Sequence, residues 1–118
     1  MKKWLNSVRY ALNGLTWFLR HERNGRLEFV ITLITVAMGV WLHISMTEWC
    51  LVMLCIALII AGEMINTSIE RVADFMTREQ HPEIGLIKDL AAGAVLVLSV
   101  IAAMIGLLIF APKIIAVF

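Results

Sequence analysis

The chain is short of the things that mark a water-soluble domain. Of its 118 residues only 16% are charged, while 61% are apolar, against about 25% and 45–50% in an ordinary globular domain. With a mean hydropathy of +0.89, the composition points to an integral membrane protein. Its two cysteines, Cys50 and Cys55, have neither CxxC nor metal-ligand spacing. They read as reduced filler of an apolar run, not as a disulfide framework. The N-terminus is basic, but no apolar segment follows it for two dozen residues, so no signal peptide is expected. There is no GxxxxGK[ST] loop and no GxGxxG, which excludes the familiar phosphate cradles. A net charge of +1 gives no reason to expect a nucleic-acid partner.

What is present is helical patterning. Over residues 1–20, Trp4, Leu5, Val8, Leu12, Leu15 and Leu19 share one face, with Lys2, Asn6, Arg9, Asn13 and Arg20 opposite. That pattern predicts an amphipathic helix lying in the membrane interface, with Trp4 and Trp17 near headgroup level. Residues 20–28 form a dense charged elbow. Residues 29–46 are apolar apart from Thr32, Thr35, His43 and Ser45, long enough for a first span of roughly 27 Å. A second helix is expected over 49–76, because its purely apolar part, Trp49 to Ala61, is too short to cross alone. Pro82 and Gly85 predict a loop over 77–88. A third apolar run, 90–111, contains the small residues Ala91-Ala92-Gly93-Ala94 and Gly106, which permit close helix approach in lipid; Pro112 is expected to end it. The fold class implied is an all-α membrane protein, one domain over 1–118, with a surface helix and three transmembrane helices.

Within the second helix lies the feature that carries chemistry. Glu63, Asn66, Glu70 and Asp74 fall within a stripe of roughly 80° at about 100° per residue. Acids on one face of a membrane helix are costly and mark a functional surface. Lys and Arg set the orientation. Six lie in residues 1–28, none in the turn 45–48, three between Arg71 and Lys88, and one, Lys113, in the tail. The positive-inside rule therefore puts the N-terminus and the second loop in the cytoplasm and the C-terminus outside. Of nine acids only Glu48 falls on the outer side. Acids, lysines and a histidine at one membrane surface suit a divalent metal with a phosphate ligand, since Mg²⁺ binds through one or two carboxylates plus phosphate oxygens and waters.

The run Glu63-Met64-Ile65-Asn66-Thr67-Ser68-Ile69-Glu70-Arg71-Val72-Ala73-Asp74, followed by His81-Pro82 and Lys88-Asp89, resembles the small prokaryotic diacylglycerol kinase family. These are homotrimeric lipid kinases of the bacterial inner membrane, and the resemblance covers nearly the whole chain. It implies that Glu63 is the catalytic base for the lipid hydroxyl and that Glu22 and Glu70 hold the metal of Mg-ATP. It further implies that Asp74, Lys88 and Asp89 line the nucleotide site, with Tyr10 and His81 more peripheral. Asn66 would support the site, as would Arg26 and Glu28 at the elbow. Sites in this family lie at subunit boundaries.

The family has a diacylglycerol and an undecaprenol branch. Glu22-Arg23-Asn24, Thr47-Glu48-Trp49, Lys88-Asp89 before Ala91-Ala92-Gly93-Ala94, and Gly106-Leu107-Leu108-Ile109-Phe110 before Pro112-Lys113 look like the undecaprenol branch. The expected function is therefore transfer of the ATP γ-phosphate to undecaprenol. Diacylglycerol is the alternative substrate, since both lipids present a primary hydroxyl on an apolar body. A more distant alternative is a non-enzymatic membrane subunit or ion carrier, but an ion pathway would spread its acids through the full membrane depth.

Overall fold

The computed structural model describes residues 1–118. It contains four helices in chain order: α1 (Lys2–His21), α2 (Arg23–Trp41), α3 (Met46–Met76) and α4 (Pro82–Val117). The all-α expectation holds. The hairpin of α3 on α4 is the largest helix–helix interface, α2 packs beside α3, and α1 joins α2 at a corner. At 31 and 36 residues, α3 and α4 are both long and apolar enough to cross a membrane.

Several helix ends differ from the sequence expectation, each for a local reason. The expected span over 29–46 meets a helix that ends at Trp41. There Leu42 and His43 turn the chain, with His43 in the left-handed region at φ 53°. The same helix starts inside the charged elbow, so only Glu22, in extended conformation, separates α1 from α2. The second span starts at Met46, not at 49. Ser45 Oγ accepts from the Glu48 amide and Glu48 Oε1 accepts from the Ser45 amide, a capping box that satisfies two orphan helix-end groups. The loop expected over 77–88 shrinks to 77–81. Pro82 occupies the first helical position, where its missing N–H costs nothing, and the imidazole Nδ1 of His81 accepts from the Glu83 amide. Gly85 lies within the helix and breaks nothing. Pro112 does not end α4, which continues to Val117; it removes one backbone donor, which a long helix tolerates.

The protomer is open. Only ten of its 118 residues are buried, and its radius of gyration is 17.5 Å, against about 13.5 Å for a compact chain of this length. The apolar face of α1 is uncovered, with Trp4, Leu5 and Leu12 all exposed. The packed core sits toward the end away from the α1–α2 corner and comprises Ile44, Val52, Ile109 and Phe110. Within the single chain the close approaches fall at Gly25, Gly39 and Gly62. A Cβ on Gly93 or Gly106 would meet nothing within 4 Å, whereas one on Gly25 would come within 2.6 Å of the Phe18 ring.

Candidate active site

Glu63 comes first in the site because of where α3 puts it. It is 9% exposed, unusual for a carboxylate. One turn on, Thr67 is buried as well. The sequence reading passed over Thr67, although at about 40° from Glu63 the helical arithmetic already placed it beside the stripe, about 20° past Asp74. Glu22 from the α1–α2 corner, Glu28 from α2 and Glu70 from α3 lie within electrostatic range of Glu63. Three elements thus converge on one buried carboxylate. Asn66 donates from Nδ2 to Glu70 Oε1 at 3.1 Å, while its own Oδ1 is buried without a partner.

Beside this cluster an apolar slot of about 350 Å³ runs between α2, α3 and α4. Ile59, Ile60, Ala102 and Ala103 line it, with Glu28 at its acidic end and Phe110 at the other. A second, polar cavity of about 520 Å³ lies at the α3–α4 turn, lined by Asp74, Thr77, His81 and Lys88 among others. There Lys88 Nζ pairs with Asp74 Oδ1, which closes α4 onto α3.

The sequence-expected residues therefore sort into groups. Glu22, Glu28, Glu63, Asn66 and Glu70 come together as one cluster. Asp74, His81 and Lys88 come together in the polar cavity, one turn further along α3. Two residues join neither group. Tyr10 is 70% exposed on α1, roughly 18 Å along the helix axis from Glu22, and Asp89 is exposed beside Lys88. Arg26 has structural work: its Nη1 donates to the Arg20 carbonyl at 2.7 Å and to that of Leu19, which caps the C-terminal end of α1. No three His, Cys, Asp or Glu side chains enclose a metal ion by themselves. The donor set is nevertheless all oxygen, with an unpartnered amide oxygen among the carboxylates, and this fits a hard cation that brings phosphate and water as its remaining ligands.

A helical hairpin long enough to cross a membrane thus carries a carboxylate cluster beside an apolar slot. The chain belongs to the family described as prokaryotic diacylglycerol kinase, whose profile matches residues 9–110. It is therefore a lipid kinase. It is 35% identical to the undecaprenol kinase of Bacillus subtilis (strain 168) over 96% of this chain and 92% of that protein. It is also 30% identical to a diacylglycerol kinase of Helicobacter pylori (strain J99 / ATCC 700824), over 81% of this chain and 75% of the relative. With the diacylglycerol kinase of Escherichia coli (strain K12) it shares 29% identity, over 83% of this chain and 80% of the relative.

Proposed function

We propose that this lipid kinase transfers the γ-phosphate of ATP to the hydroxyl of undecaprenol at the cytoplasmic face of the bacterial inner membrane. The observation that carries the reading is the buried Glu63 with three further carboxylates in range, one of which, Glu28, lines the end of an apolar slot. The slot takes the first stretch of an apolar chain and leaves its hydroxyl among the acids. Glu63 accepts the hydroxyl proton as general base. The hydrogen bond from Asn66 orients Glu70. Glu22 and Glu70 would hold Mg²⁺, which supplies charge neutralisation to the transferring phosphoryl group. Asp74, His81 and Lys88 line a polar cavity that suits the rest of the nucleotide, whereas Asp89 and Tyr10 lie outside its lining. Undecaprenol is favoured over diacylglycerol by the similarity to the Bacillus subtilis protein over nearly the full length of both chains.

Topology and assembly belong to the same proposal. The corner bearing Glu22 sits at the acidic end, while α3 begins at the opposite end beside Lys113 of α4. The 19 residues of α2, about 28 Å of helix, run between the two, and this supports three crossings with the C-terminus outside. The open protomer and the uncovered Gly93 and Gly106 support a homotrimer. The test is a side-by-side assay of the purified protein with ATP, Mg²⁺ and either lipid. A higher kcat/KM for undecaprenol is expected. A reversed preference would make diacylglycerol the substrate, and no phospholipid from either would overturn the reading.

A further inference from the structure

Glu22 and Glu70 are held by different elements. Glu22 is the single extended residue of the α1–α2 corner, and Glu70 rides on α3. The contacts of Phe18 with Gly25 and of Arg26 with the Arg20 carbonyl tie α1 to α2. They hold the corner together but do not set its distance from α3. Among the chain's side-chain hydrogen bonds, ion pairs and aromatic contacts, one joins α1 to α3. The guanidinium of Arg71 lies over the Trp17 ring, with Cζ 4.7 Å from the ring centroid.

Both partners are prepared for this contact. His21 stacks on Trp17, with ring centroids 4.7 Å apart and planes 15° apart. In the tautomer that carries its proton on Nδ1, His21 donates to the Trp17 carbonyl at 3.0 Å. Arg71 takes part in neither of the chain's ion pairs, so no carboxylate competes with the ring for its charge. Arg71 directly follows Glu70, and Trp17 precedes Glu22 by five residues. The contact thus stands beside both carboxylates without including either.

We propose that Arg71 and Trp17 form a cation–π clamp that sets the corner's Glu22 against Glu70, which makes them positioning residues for metal–nucleotide binding. The inference rests on the assignment of Glu22 and Glu70 to the metal. A cation over a tryptophan face corresponds to about two- to thirtyfold in an equilibrium constant. Without the clamp the corner is free to shift, and the two carboxylates no longer meet one ion at fixed separation.

The test uses Mn²⁺ with ATP as probe, with free Mn²⁺ read by electron paramagnetic resonance on the purified full-length protein in detergent. Arg71→Met and Trp17→Leu should each raise the Mn²⁺ Kd about two- to thirtyfold, with kcat at saturating Mg²⁺ close to the parent value. Arg71→Lys and Trp17→Phe keep a cation over a ring and should restore most of the affinity. The double variant should bind no more weakly than the weaker single variant. An unchanged Kd, additive losses in the double variant, or conservative variants no better than the disruptive ones would overturn the clamp. Glu70→Gln measured in parallel separates the two readings. If it weakens Mn²⁺ binding while the clamp variants do not, the clamp alone is wrong. If it leaves Mn²⁺ binding untouched, the metal assignment fails and the clamp falls with it.

Discussion

The two ends of the α3–α4 hairpin are built on opposite principles. At the end where α3 begins, polar groups are matched. Ser45 and Glu48 cap each other, Lys113 pairs with Glu48 at 3.2 Å, and Ile44, Val52, Ile109 and Phe110 pack together. At the other end three carboxylates are gathered around a buried one, and an amide oxygen has no partner. One end lowers the free energy of the fold, and the other holds groups that a stable fold would avoid. On the proposed site assignment, stability and chemistry are separated along the hairpin, so substitutions at the two ends should affect different measurements.

The sharpest way to break the contrast is Glu63→Gln. It should cost about 10²–10⁴-fold in kcat while the oligomer and its melting temperature stay at parent values or rise, because a buried charge is removed. Turnover within about threefold of the parent would show that Glu63 is not the base. Next in size, Glu70→Gln and Glu22→Gln should raise the Mg²⁺ concentration for half-maximal activity on the order of 10- to 100-fold, as read from a Mg²⁺ titration at fixed ATP. At the packed end the sign pattern reverses. A methyl group on Gly39 would lie 2.7 Å from the Trp49 ring. Gly39→Ala should therefore destabilise by about 1–3 kcal/mol through overpacking, visible in thermal unfolding, with kcat at permissive temperature unchanged. The smallest effect belongs to Ser45→Ala, which removes half of the capping box and should cost about 1 kcal/mol with no change in metal dependence. A loss of Mg²⁺ affinity in either variant of the packed end would dissolve the separation.

How much of this the sequence disclosed depended on the range of the interaction. The stripe of Glu63, Asn66, Glu70 and Asp74 was legible because 3.6-residue periodicity is local, and the apolar run over 90–111 marked α4 through length alone, whereas α3 was legible only by extending a run too short to cross by itself. Helix ends were less legible because competing local signals had to be weighed. Ser45-x-x-Glu48 is a capping box by pattern, yet it also reads as a polar turn between two spans. Pro82 is both a breaker of the residue before it and a favoured first residue, and the second role won. Pro112 marked no end because the helix around it continues regardless. Arg71 over Trp17 lay beyond the sequence altogether. The two residues are 54 positions apart, and nothing in either neighbourhood states that α1 will fold back toward α3.

One feature of α2 constrains its motion as a rigid body. The helix is seated at both ends by an aromatic ring on a glycine, Phe18 on Gly25 and Trp49 on Gly39. Fourteen residues separate the glycines, so at about 100° per residue they lie within about 40° of each other around the axis. Like a shaft with two flats cut on the same side, α2 can neither spin nor slide unless both rings lift together. Its rotational setting is thereby fixed, and Glu28, three residues past the first flat, is kept turned toward the slot.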